Sequence, residues 1–290
     1  MKHIAKKTMA ALLAFMLIFG LAAAAHASFG PGTKLVVLGD SIPAGEGATE
    51  EAKSYARLLE AQRGFALANY AVGGHASADL LAILADNEAA KQAIRDADII
   101  NLNIGGNDLL ASNVITLVLR LVFLNDASIV EEYIEDFAVR FADIIEQILA
   151  LNSDALFIVQ TLPNVMGGIP LVGDAYDVAV NMLNQVYHDY LEANPGVYVI
   201  ADVYSAFLGR EGLVHRDRLH PSDAGHAMIA KVLTATIDGT MLELEPVEPF
   251  EPGFFQQAGI FACALVDYLS YWLSVMSVWQ LISNIFRFMF

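Results

Sequence analysis

Short runs of β-branched and other apolar residues alternate along this chain with longer stretches whose apolar positions recur every three or four residues. Residues 34–39 (KLVVLG), 65–72, 97–104 (ADIINLNI), 155–161 (ALFIVQT) and 197–201 read as five strands. Helical spacing fills 50–63, 77–95, 112–124, 128–151 and 174–193, and 222–237 supplies a last helix with Ser222 as its N-cap. Such alternation predicts a three-layer α/β/α sandwich around a mainly parallel five-stranded sheet. Ligands of these sheets bind just outside the carboxyl ends of the strands, so chemistry is expected in the loops that follow each strand.

The pattern changes at both ends. Lys2, Lys6 and Lys7 precede an apolar run over 10–25, and Ala25-His26-Ala27 is an A-x-A cleavage pattern. Residues 1–27 therefore read as a signal peptide, with a mature start at Ser28 and export of the chain; an uncleaved N-terminal anchor is the alternative. The folded domain is expected over 28–240. Residues 241–252 read as an acidic, Pro-rich linker, stiff and solvated. Residues 253–290 form an apolar helical tail whose only charges are Asp267 and Arg287. Its polar residues fall along one helical stripe, and 267–287 is about the 20-residue length that crosses a bilayer. Three readings stay open: a membrane anchor, a helix lying in the membrane interface or self-associating, and a helix packed on the domain.

Composition narrows the partners. The 290 residues, 56% of them hydrophobic, suffice for one α/β domain with an ordinary core. Against 33 acidic residues stand 16 Lys and Arg, a net charge of −17, which excludes a clustered basic surface for nucleic acid. Cys263 is the lone cysteine, so no intrachain disulfide forms and packing alone must hold the fold. No dinucleotide fingerprint, Walker pattern or zinc spacing is present, and neither cofactor nor metal is expected. Oligomeric state is not encoded.

Four short motifs follow strands, or precede the last helix, in order. Gly39-Asp40-Ser41 closes the first strand and presents a hydroxyl at the sheet edge. Residues 69–77 (NYAVGGHAS) follow the second; Gly74 or its neighbour Gly73 allows close backbone approach to a ligand, and His75 is a candidate lining residue. Gly105-Gly106-Asn107-Asp108 follows the third and offers a neutral amide donor. Asp217-Arg218-Leu219-His220 precedes the last helix, where an acid three residues before an imidazole can fix its tautomer. Taken singly, each is also compatible with a plain turn.

Together the four blocks resemble the GDSL, or SGNH, family of serine esterases and lipases, over about residues 34–237. The resemblance implies Ser41 as nucleophile, His220 as general base and Asp217 as the residue that orients it. It places the oxyanion hole at the Ser41 and Gly74 N–H groups and the Asn107 side chain. Ile42 stands where the family name has leucine, a conservative departure. The implied activity is carboxylic ester hydrolysis on a small-molecule or lipid substrate. Lysophospholipase, thioesterase and deacetylase of cell-wall sugars use the same chemistry, and a non-catalytic surface-binding module is the rival from another class. The acid-to-histidine spacing and the early serine separate the chain from α/β-hydrolases.

Overall fold

The computed structural model describes residues 29–110, 126, 128–167, 169 and 172–245. The leader over 1–27, the helix expected over 112–124 and the tail over 253–290 lie outside the described residues, as does the linker beyond residue 245. Among the described residues no helix is long and apolar enough to cross a membrane.

Five strands form one wholly parallel sheet: β1 (Lys34–Gly39), β2 (Ala66–Asn69), β3 (Ile99–Asn103), β4 (Leu156–Gln160) and β5 (Val199–Ala201). Their order is β2-β1-β3-β4-β5. Because the order reverses between β1 and β3, loops leaving these strands diverge and open a crevice at their carboxyl ends. Leu35 pairs with Ile99 and Gly39 with Asn103 across that central pair.

The helices are α1 (Ser41–Ala44), α2 (Tyr55–Arg63), α3 (Ser77–Asp86), α4 (Glu88–Arg95), α5 (Gly106–Leu110), α6 (Ser128–Leu151), α7 (Val172–Ala193), α8 (Val203–Phe207) and α9 (Asp223–Ile237). Period-two alternation in the strands splits the core between the two faces. Val36, Leu38, Ile100 and Leu102 face a layer built from α3, α4, α6 and α7. Leu35, Val37 and Ile99 face α2, α8 and α9. On the first side Phe141 packs stacked on Phe137, tilted against Tyr187 and edge-on to Tyr198. On the second, the buried Tyr55 hydroxyl donates to Asn101 Oδ1 (2.9 Å), and Gln160 Nε2 donates to the same oxygen (2.7 Å). These bonds satisfy only part of the cluster: among the described residues Asn101 Nδ2 and Gln160 Oε1 are buried without a hydrogen-bond partner.

The single helix expected over 77–95 is two. Asn87 leaves the helical region (φ −92°, ψ 93°) and its side chain accepts the Ala90 N–H, so it ends α3 and caps α4. Ser222 caps α9 as expected, accepting the Gly225 N–H.

Candidate active site

The first wall is built by the end of β1. Gly39 has φ 134°, and a side chain there would collide with the Asn103 carbonyl. The chain can therefore turn sharply where β1 lies against β3. Asp40 caps α1 through the Ile42 N–H (3.1 Å), which leaves Ser41 as the first helical residue. The Ser41 backbone N–H belongs to the unpaired set at a helix start.

The second wall is a compact turn before α9. Val214 and Pro221 form an isolated antiparallel bridge, and the His215 N–H donates to the His220 carbonyl (2.8 Å). Arg218 takes a left-handed conformation (φ 59°), the price of so tight a reversal. Asp217 Oδ1 accepts the N–H groups of Leu219 (2.9 Å) and His220 (3.0 Å). Its other oxygen meets His220 Nδ1 at 2.7 Å. Across the cleft, His220 Nε2 lies 2.9 Å from Ser41 Oγ. A carboxylate can only accept, so Nδ1 carries the proton and Nε2 presents its lone pair to the serine hydroxyl.

Electrostatics agree with that assignment. Burial opposes charge on Asp217, but the hydrogen bond from the His220 ring and the two backbone donors outweigh it, holding the carboxyl well below the usual range. Burial also opposes charge on His220. The hydrogen bond and charge of Asp217, with Glu46 and Asp40 nearby, reverse this and raise its pKa above the ordinary imidazole value. Asp40 is pushed up to about 7, chiefly by burial.

The third wall combines two loops. Gly74 (φ 81°) and Asn107 line the same cleft as Ser41 and His220. Gly73 instead abuts the Glu46 carboxylate. One Asn107 amide N–H is engaged, donating to the His75 carbonyl (2.9 Å). His75 thus contributes its backbone, and its ring is not among the described residues lining the cleft. Behind this corner, the buried Asp108 accepts the Ser77 N–H (2.9 Å) and hydroxyl (2.5 Å). Arg140 Nε donates to Ser77 Oγ (2.7 Å), and its Nη2 lies 3.4 Å from Asp108. Asp108 and Arg140 therefore tie the Asn107 helix and the start of α3 to α6.

The cleft measures about 260 Å³. Ile42, Leu162, Pro163, Val165, Tyr176 and Leu219 supply its apolar surface. Among the described residues no group of three or more His, Cys, Asp or Glu is arranged to hold a metal ion.

The chain matches the GDSL-like lipase/acylhydrolase family over residues 37–228. The chain belongs to this family. GDSL-family members are ester hydrolases, and the four blocks fall at the positions just described. The chain is similar to the uncharacterised protein YpmR of Bacillus subtilis, at 27% identity over 206 residues, covering 68% of this chain and 78% of that one. Among solved structures it resembles the lipase Lip_vut3 from a goat rumen metagenome, with TM-score 0.56, 25% identity, and 70% and 96% of the two chains covered. An extracellular lipase from Streptomyces rimosus shares the fold, with TM-score 0.58, 20% identity, and 70% and 99% covered.

Three residues of this GDSL site lie outside the four blocks. His215 Nδ1 lies 3.1 Å from the same Asp217 oxygen that His220 engages; the H-x-D-x-x-H spacing over 215–220 could have suggested it. Glu46 Oε2 lies 3.3 Å from His220 Nε2. Buried His226 donates from Nε2 to the Glu46 carbonyl (3.0 Å) while its Nδ1 faces the Tyr55 N–H (3.4 Å). Burial lowers the His226 pKa, so it acts as a neutral strut rather than a ligand.

Proposed function

We propose that the protein is an exported serine hydrolase that cleaves carboxylic esters of the esterase/lipase type through an acyl-enzyme on Ser41. The reading is carried by one observation, the continuous hydrogen-bonded line from Ser41 Oγ through the His220 ring to Asp217. As Oγ bonds to the ester carbonyl carbon, its proton passes to His220 Nε2 and the carbonyl oxygen becomes an oxyanion. Asp217 stabilises the imidazolium that forms. The Ser41 and Gly74 N–H groups and the second amide N–H of Asn107 receive the oxyanion. His220 then gives its proton to the leaving alkoxide as the C–O bond breaks. Water, deprotonated by the same ring, releases the acid and restores Ser41.

The small cleft and its apolar wall suit an acyl group of modest length close to the carbonyl. Lysophospholipase, thioesterase and carbohydrate deacetylase activities would run on the same residues, since all present an acyl carbonyl to Ser41 and a departing heteroatom to His220. Export rests on the leader over 1–27, and its test is the N-terminus of the mature protein. The tail over 253–290 is read as holding the enzyme at a membrane; extraction of membranes with alkaline carbonate separates an anchored tail from a peripheral one.

The direct test is hydrolysis by the full chain of p-nitrophenyl acetate, butyrate and longer esters. Turnover that disappears in Ser41→Ala is expected, and the chain-length profile narrows the acyl preference. No turnover of any ester would leave a non-catalytic binding module as the better reading.

A further inference from the structure

The mechanism above leaves Glu46 without a role, yet its position is built. Its backbone N–H donates to the Ser41 carbonyl (2.9 Å), and its own carbonyl receives the His226 ring (3.0 Å). Gly73 has no side chain where the Glu46 carboxylate lies, and any Cβ there would collide with Oε1. The carboxylate is thus held between the second-block loop and the catalytic imidazole, with Oε2 3.3 Å from His220 Nε2 and its side chain 47% exposed.

That location has a chemical consequence. His220 Nε2 is the atom that must hand a proton to the leaving oxygen, so the first atoms of the alcohol half pass within contact distance of it. They therefore pass within a few ångströms of Glu46 as well. No Lys or Arg lines the cleft among the described residues, whereas the Glu46 carboxylate does. An anion on the alcohol half meets uncompensated like charge at this point, and a cation meets attraction in a partly desolvated mouth.

We propose that Glu46 is the specificity-determining residue that reads the charge of the alcohol half, disfavouring esters of anionic alcohols and favouring esters of cationic amino alcohols. The inference rests on the ester-hydrolase reading above. It concerns only the leaving-group side, leaving the acyl preference to the apolar wall.

The test uses the full chain and three butyrate esters of matched shape: choline butyrate, its uncharged isostere 3,3-dimethylbutyl butyrate, and the anionic 2-sulfoethyl butyrate. Acid release is followed at constant pH, and kcat/KM ratios are taken within each enzyme, so that a change in overall rate cancels. In the wild type the cationic ester should exceed the neutral one, and the anionic ester should fall below it, each by about tenfold at low salt. Both ratios should shrink on adding salt. Glu46→Gln should collapse both ratios toward unity, and Glu46→Lys should invert them. Wild-type ratios near unity, or ratios that persist in Glu46→Gln, would overturn the assignment while leaving the hydrolase intact. Failure of the wild type to cleave even the neutral ester would bring down the hydrolase reading, and this inference with it.

Discussion

The two halves of the site are made in different ways. The Asp217–His220 half is a single tight turn: the acid, its two backbone donors and the imidazole lie within four consecutive residues, closed by the bridge between Val214 and Pro221. The proposed oxyanion half is distributed. Gly74 follows β2, Asn107 follows β3, and the network that joins them reaches Arg140 on α6. A local device depends on its own sequence, whereas a distributed one depends on the whole sheet and the helix behind it. Damage to the first should remove chemistry and spare the fold; damage to the support of the second should cost both.

Asp217→Asn probes the local half and should have the largest effect. Asparagine can offer its amide to Nδ1 and trap the wrong tautomer, so kcat should drop by about 10⁴ with little change in melting temperature. Steady-state kinetics beside a thermal melt checks both parts. Asn107→Ala removes one proposed oxyanion donor, and kcat should fall by about 10²–10³ with KM nearly unchanged. An unaltered kcat would take Asn107 out of the site.

Asp40 lies at the seam, capping α1 while its Oδ2 faces Gly106. In the fold it keeps its proton up to about pH 7, whereas the unfolded chain ionises near 3.8. Its contribution is fully present below 3.8 and is lost as pH rises toward 7, so stability should decline across that window. Asp40→Asn should abolish this decline, and its advantage in unfolding free energy should grow to on the order of 2–4 kcal/mol by pH 8. Denaturant titrations at pH 4, 6 and 8 read this directly.

Arg140→Met tests the distributed half from behind. It leaves the buried Asp108 with Ser77 alone, and should cost roughly 1–3 kcal/mol of stability. A modest fall in kcat should accompany it, smaller than that of Asn107→Ala. A final, smaller effect is one of pH. Because Asp217, Glu46 and Asp40 raise the His220 pKa, the acid limb of kcat/KM should inflect above 6.5, with activity lost as pH falls through it.

The same contrast explains what could be read from the residues alone. The span 34–39 is β1 to the residue, and 128–151 is α6, because a buried run and a sustained helical stripe are strong periodic signals. The D-x-x-H turn was legible because its chemistry is local. Helices α1, α5 and α8 escaped, being four or five residues long and shorter than any periodicity can mark. The break at Asn87 was hidden because the apolar spacing continues across it, and only the side-chain cap reveals it. Arg140 and Glu46 could not be found, since each acts on a residue that only the folded sheet brings near. The 69–77 block pointed to Gly74 without excluding Gly73; in the fold Gly73 abuts Glu46 and Gly74 lines the cleft.

The central claim is that Ser41 is the activated nucleophile. The most direct measurement is reaction of the full chain with a fluorophosphonate, followed by peptide mass mapping of the adduct. One phosphonylated site at Ser41 is expected, absent in Ser41→Ala and formed far more slowly in His220→Ala. An adduct on another residue, or equal labelling of the alanine variant, would contradict it.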